Sequence, residues 1–298
     1  MQIQMKNYMI HPKQIKYVFI LACVLTHCRQ VAPQENQESI KPKEIPLSDQ
    51  KKALQEQIQT LGNTQKLKIL LSNLNVTDRE VIALCKSTED VALKARLIGT
   101  VFEDNEFEEK SNNPDFWAGY RFNLSKFTEI VSLVKEGQAT FMDIGSSNGE
   151  KLFGALCLGF SKAIGLEYSP ESFKMSKINL KNFPKEIELR QGDALKVETN
   201  FFQKADFIYM YSPIKDDAVM ASLFWRIMEN LPEDAILLEV RCVYAHELNK
   251  KTPFVFPTLK SWLAVKKMRG KYFYKNVEET FYGYEIKHGR NWTELKYR

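Results

Sequence analysis

Phe141-Met142-Asp143-Ile144-Gly145-Ser146-Ser147-Asn148-Gly149 is the stretch on which the fold turns. Thr140 to Ile144 reads as a short apolar strand carrying one carboxylate, and Glu150 to Leu158 reads as a helix with Gly159 past its end. A strand that breaks at a glycine-containing turn and opens a helix lets backbone approach a ligand closely, and the helix start offers unpaired N–H groups to an anionic moiety. Two phosphate-binding patterns fail on this stretch. Ser147 and Glu150 occupy the second and third glycine positions of G-x-G-x-x-G, and Gly149-Glu150-Lys151 lacks the G-K-[ST] ending of a P-loop.

Outward from the turn, the texture stays strand, helix, strand. Ala163 to Glu167, Ile187 to Arg190, Asp206 to Tyr211 and Ala235 to Val240 are short apolar runs. Ser169-Pro170-Glu171 is a helix start with an N-cap hydroxyl and Pro in the first turn, and Asp217 to Asn230 is a further helix. Such alternation predicts a parallel sheet covered on both faces. After Pro257 the apolar residues Leu259, Trp262 and Leu263 predict a helix ending at Gly270; Tyr272 to Tyr274 and Phe281 to Ile286 predict an antiparallel hairpin. The expected fold is therefore α/β: a doubly wound, mostly parallel seven-strand sheet with a terminal antiparallel hairpin, preceded by a helical N-terminal region.

That N-terminal region has three parts. Lys6, Lys13 and Lys16 precede an apolar run from Tyr17 to Thr26, and Cys28 follows. About half the ~20 apolar residues of a membrane span, the run matches the h-region of a secretory signal. Ile20-Leu21-Ala22-Cys23 and Leu25-Thr26-His27-Cys28 resemble the lipobox of bacterial lipoproteins, which implies lipidation, membrane association through the N-terminus and a cytoplasmic location only if the leader is not used. Residues 31–46, rich in Pro, Gln and Glu, lack apolar periodicity. From Ser48 helical stripes follow: Leu54, Ile58 and Leu61; Leu67, Leu70, Leu71 and Leu74; a capping box at Thr77-Asp78-Arg79-Glu80; and a helix opened by Ser87 and Asp90. An aromatic stretch from Phe116 to Phe122, with Trp117 and Tyr120, precedes a helix carrying Phe127, Ile130, Val131 and Val134.

Charge excludes one broad class. Of 42 Lys and Arg, four lie in the first 30 residues, which have no acidic residue, so the body balances 38 basic against 37 acidic side chains. That near-neutral body is no strong nucleic-acid signal. Residues 246–298 are locally basic, with 12 Lys and Arg against 5 Asp and Glu, which reads as an outward-facing edge. Cys85, Cys157 and Cys242 show no metal-ligand spacing with His246 or His288, so no metal site is expected and the thiols read as buried and free.

The glycine turn resembles the first motif of class I S-adenosylmethionine-dependent methyltransferases, D/E-x-G-x-G-x-G, carried here by Asp143, Gly145, Ser147 and Gly149, with Ser in place of one glycine. Its companions are in register. Glu167 ends the second strand about 20 residues on, where a carboxylate accepts hydrogen bonds from a ribose diol. Tyr168 follows as a ring for the adenine, and Asp193 with Ala194 matches the family's acidic position near the adenine amino group. Tyr211, Ser212 and Pro213 match the motif that borders the transferred methyl. The resemblance implies S-adenosyl-L-methionine as cofactor and methyl transfer to an acceptor that the residues do not identify: the fourth motif is neither Asn-Pro-Pro-Tyr nor an acidic set for a metal-dependent reaction. Aminopropyl transfer on the same fold and a catalytically silent, membrane-tethered binding module are the alternatives. The chain divides accordingly into a leader (1–28), a disordered linker (29–46), a helical cap (47–136) and a SAM-binding domain (137–298); oligomeric state is not legible.

Overall fold

The computed structural model describes residues 58, 61–102, 123–211, 213–240, 262–279, 286–288 and 292–294. The leader, the linker, Trp117, Tyr120, Ser212, Cys242 and residues 281–285 lie outside the described residues. The chain forms two compact units, Met1–Val76 and Thr77–Arg298.

In the first unit, helix α1 (Thr64–Asn73) is started by Asn63, whose side chain accepts from the N–H groups of Gln65 and Lys66. Leu67 and Leu71, one turn apart, are buried. Past the helix, Asn75 takes a left-handed φ of 52° and Val76 donates to Leu71 O at 3.0 Å, satisfying a terminal carbonyl.

The second unit opens with α2 (Asp78–Ser87), where the expected capping box forms: Glu80 N donates to Thr77 Oγ1 and Thr77 N donates to the Glu80 carboxylate. Helices α3 (Val91–Phe102) and α4 (Leu124–Val134) follow. Then come β1 (Thr140–Ile144), α5 (Glu150–Cys157), β2 (Lys162–Glu167), α6 (Pro170–Asn179), β3 (Ile187–Gln191), a 3-10 turn at Thr199–Lys204, β4 (Phe207–Tyr211), α7 (Asp217–Glu229) and β5 (Ile236–Val240). Helices α2, α3 and α4 all pack on α5, so these three belong to the same unit as the sheet.

The sheet runs β3-β2-β1-β4-β5 in parallel, as expected for a doubly wound fold. Successive residues of β1 serve opposite cores. Met142 and Ile144 join Ile208, Met210, Met220, Leu223, Phe224 and Ile227 beneath α7. Phe141 faces the other way, 6.0 Å from Phe127 of α4 and 5.3 Å from Phe160. Burial on both faces explains why these strands are near-continuously apolar. Cys85 and Cys157 are buried free thiols.

The antiparallel end corrects two expectations. Trp262–Met268 is strand β6, antiparallel to β5, rather than a helix. Spacing in Leu259, Trp262 and Leu263 suits either structure, but Trp262-Leu263-Ala264-Val265 is one apolar run and all four are buried, as a strand with two covered faces requires. Gly270 ends no helix; with Arg269 it forms the two-residue turn into β7 (Lys271–Glu279), at φ 53° and 70°, the left-handed pair that a tight hairpin needs. Strands β8 (Ile286–His288) and β9 (Thr293–Glu294) both pair antiparallel with β7, so among the described residues the mostly parallel sheet extends to nine strands with its antiparallel end. Glu136, just before β1, ties this end down: its carboxylate accepts from Lys266 Nζ at 2.8 Å, Lys275 Nζ at 3.0 Å and Trp292 Nε1 at 2.8 Å. Burial pushes the Glu136 carboxyl up, but these donors outweigh it and hold it down at about 2.

Candidate functional site

In the order β3-β2-β1-β4-β5, the chain leaves β1 toward β2 on one side and returns to β4 on the other. The strand order therefore reverses between β1 and β4, and open α/β sheets take their ligands at such a point, outside the carboxyl ends of the strands. The glycine turn lies there.

The turn is locked by backbone. Gly145 N and Ser146 N both donate to Leu166 O, at 2.8 and 3.1 Å, and Gly149 N donates to Ser146 O at 2.9 Å. Gly145, Ser147 and Gly149 all have positive φ, at 85°, 47° and 88°. Ser147 therefore adopts the left-handed backbone of the glycine it replaces. Gly149 caps α5 without a side-chain bond, and the Asn148 side chain takes that part by accepting from Glu150 N at 3.2 Å. A Cβ on Gly145 would stand 3.1 Å from Pro213 Cβ, so the second residue after β4 sits against the residue after β1.

Glu167 joins the turn to the second strand. Its Oε2 accepts from Ser147 N at 2.6 Å and its Oε1 from Ser169 N at 2.8 Å. An ionised carboxylate accepts about four hydrogen bonds, so gripping two loop amides is compatible with receiving a diol as well. Gly192 N donates to Glu167 O at 2.9 Å, which brings the Asp193 loop beside it. Asp193 itself accepts from Leu195 N at 2.9 Å and pairs with Lys196 at 3.3 Å, so it shapes its own turn. Ala194 is half-buried against the core under α7. Tyr168, directly after the end of β2, is 47% exposed. Tyr211 ends β4 beside Val240. The structure thus brings Gly145, Ser147, Gly149, Glu167, the Asp193 loop and Pro213 to one end of the sheet.

Asp143 lies within β1, two residues before the first glycine of the turn. It is buried, in register with Tyr209 of β4. Burial pushes its carboxyl up to about 7; the Lys151 ammonium pulls it down, and the Glu167 charge pushes it further up. Glu150 and Lys151, to which the sequence reading gives no site role, complete this setting together with Tyr209. Glu150 and Lys151 form a buried ion pair at 2.5 Å, with Lys151 Nζ 5.6 Å from the Phe127 ring. The Tyr209 phenol is buried without a hydrogen-bond partner among the described residues, and burial followed by the Asp143 charge raises its ionisation well above the usual range. The signals are faint: Glu150-Lys151 looks like any solvated helix start, and Tyr209 is one aromatic in an aromatic strand. Among the described residues no group of His, Cys, Asp and Glu is placed to hold a metal ion, and no helix is long and apolar enough to cross a membrane.

Comparison with known proteins adds the family. No curated protein matches the chain in sequence. Among solved structures, it is similar to an RNA methyltransferase from Salinibacter ruber in complex with S-adenosyl-L-homocysteine, at 20% identity over 46% of this chain and 84% of that one, TM-score 0.34. It is similar to the M1A22 tRNA methyltransferase of Bacillus subtilis at 21% identity, over 50% of this chain and 62% of that one, TM-score 0.36. A ribosomal protein L11 methylase from Lactobacillus delbrueckii subsp. bulgaricus gives 16% identity, 49% and 78% coverage and a TM-score of 0.38. The family model described as a methyltransferase domain matches residues 135–291, just over half of the chain and the whole of the parallel sheet with its glycine turn. The chain belongs to that methyltransferase-domain family.

Proposed function

We propose that the protein binds S-adenosyl-L-methionine at the carboxyl ends of β1, β2 and β4 and transfers its methyl group to an acceptor. The observation that carries this reading is the 2.6 Å bond from Ser147 N to Glu167, which fixes a diol-accepting carboxylate against a glycine turn at the point where the strand order reverses. The residues present fit such a ligand: glycines where side chains would crowd the approach, an acidic strand end, an exposed aromatic ring and a proline wall. Bound there, the cofactor supplies an electrophilic methyl carbon on a sulfonium.

The chain's own part is positioning. Gly145, Ser147 and Gly149 present backbone, Glu167 receives the ribose hydroxyls, and Tyr168 with the Asp193 loop borders the adenine. Tyr211 and Pro213 border the acceptor side; Ser212 between them lies outside the described residues. Holding donor and acceptor in line raises the effective concentration to the order of 10⁵ M or more, so a nucleophilic acceptor needs no dedicated base.

Calorimetric titration of the full-length chain tests this. S-adenosyl-L-methionine and S-adenosyl-L-homocysteine are expected to bind with a dissociation constant on the order of micromolar, about −8 kcal/mol. Glu167→Ala, losing charge-assisted bonds of about 1.5–3 kcal/mol each, should weaken binding by at least tenfold. Binding of neither compound removes the cofactor assignment and leaves the non-catalytic tethered module. The lipoprotein-like leader supports membrane attachment through Cys23 or Cys28. Palmitate labelling abolished by Cys23→Ala or Cys28→Ala is the expected result, and an intact, unlabelled N-terminus overturns it.

A further inference from the structure

Helix α6 turns two chemically different faces outward and inward. Its inner face is small: Ser172 and Ser176 are buried, and Ser176 Cβ lies 3.4 Å from where a Cβ on Gly149 would stand. Its outer face is basic and apolar together. Phe173, Lys174, Lys177, Ile178 and Lys181, with Gln191 at the end of edge strand β3, line an open groove of about 640 Å³ in which no carboxylate takes part. Ile178 is 52% exposed, and Lys177 Nζ lies 5.5 Å from the Phe173 ring centroid.

The contrast with neighbouring cations gives the groove its meaning. Along the same edge Lys162 and Lys204 each bond Glu188 at 2.9 Å, Arg190 bonds Glu198 at 2.8 Å, and Arg79 bonds Glu186 at 2.8 Å. Lys174, Lys177 and Lys181 have no ion-pair partner among the described residues. Lys174 and Lys177 stand three residues apart, about 4.5 Å along the helix axis, and Lys181 follows in the turn just past the helix end at Asn179, so three cations line the groove together with an aromatic ring.

We propose that this groove binds a single-stranded nucleic acid, with successive phosphates on the three lysines and a base against Phe173. A groove that tracks an anionic backbone and offers an aromatic face is the combination that single strands require. The occupant must carry π faces as well as charge, which neither a plane of lipid headgroups nor a polyglutamate chain does. Binding here needs neither the donor site nor methyl transfer, so it stands apart from the function proposed above.

The test is fluorescence polarisation of a fluorescein-labelled 12-nucleotide oligouridylate against the full-length chain, without cofactor, between 50 and 200 mM salt. Three phosphate contacts predict a contribution of about −2 to the log–log salt slope. In the triple variant Lys174→Glu, Lys177→Glu, Lys181→Glu, affinity is expected to fall at least tenfold and the slope to lose about two units. The basic leader is common to both proteins and cancels. Phe173→Ala in the otherwise native chain should weaken binding roughly 5- to 100-fold with the salt slope unchanged, as removal of one stacking platform does. Circular dichroism and cofactor titration show that the triple variant is folded. Equal affinity and slope in wild type and triple variant overturn the proposal. So does binding of 3:1 phosphatidylcholine–phosphatidylserine vesicles, lost in the triple variant, when the oligonucleotide is not bound. Displacement of the oligonucleotide by polyglutamate at equal charge concentration also overturns it, since it shows a site for polyanions in general.

Discussion

Gly149→Ala tests the packing under the glycine turn. Gly149 starts α5 at φ 88°, ψ 5°, and a Cβ there would stand 2.4 Å from Leu180 Cδ1, 3.1 Å from Leu180 Cγ and 3.4 Å from Ser176 Cβ. Two costs combine. Placing a side chain in the left-handed region costs about 1–2 kcal/mol. Overpacking costs about 1–3 kcal/mol, and its lower half applies, because only the end of Leu180 must move, although that side chain is 4% exposed and has little room. The expected loss is about 2–4 kcal/mol, which for a unit of this size lowers Tm by roughly 5–15 °C. Thermal melts followed by circular dichroism measure it, and Leu180→Ala closes a double-mutant cycle. Truncating Leu180 costs about 2–5 kcal/mol alone, but in the double variant it removes the clash, so the two losses should fall short of additivity by about 1–2 kcal/mol. A Gly149→Ala protein melting within about 2 °C of wild type, or a strictly additive cycle, refutes the contact.

Ser147→Gly should act with the opposite sign on the same turn: at φ 47° it relieves left-handed strain of about 1–2 kcal/mol, partly offset by the freer unfolded chain, so Tm should rise by a few degrees; a fall in Tm refutes it. Asp143, with its carboxyl at about 7, keeps a proton in the native state that the unfolded chain releases near its ordinary ~3.9. Stability is therefore lost as pH rises across that interval. Asp143→Asn removes the charge and keeps the shape, so urea melts should show no advantage for the variant at pH ~4 and a gain on the order of 2–4 kcal/mol at pH ~8; a pH-independent difference contradicts the burial of that carboxyl. Glu136 titrates the other way, since its carboxyl is held at about 2 and its contribution is present above the ordinary carboxylate pKa and lost as pH falls. With a third of that side chain exposed, Glu136→Gln should cost only about 1 kcal/mol at pH ~7, with wild type and variant converging as pH falls toward 2; equal stability at neutral pH would show that the tie to β6, β7 and β9 contributes nothing.

Punctuation made by near neighbours was legible in the sequence. The Thr77 capping box, the Ser169-Pro170 helix start and the Gly145 to Gly149 turn depend on residues within a few positions, and each stands where it was read. The candidate site was legible for the same reason: Gly145, Glu167, Asp193 and Pro213 sit at strand ends, where a break in apolar texture is visible, and the parallel order then gathers those ends. What escaped depends on neighbours far along the chain. Trp262 to Val265 becomes a strand only because β5 offers an edge, and the apolar period alone does not choose between helix and strand. Lys151 is buried because α4 lies over it, so a residue patterned for water instead sets the charge behind Asp143. The lysines of α6 and of the turn after it have the pattern of any surface segment; they stand out only because the cations beside them along β3 have carboxylates and they do not. A side chain's chemistry is read from its own position, but whether that chemistry is spent on the fold or left for a ligand depends on what the rest of the chain brings to meet it.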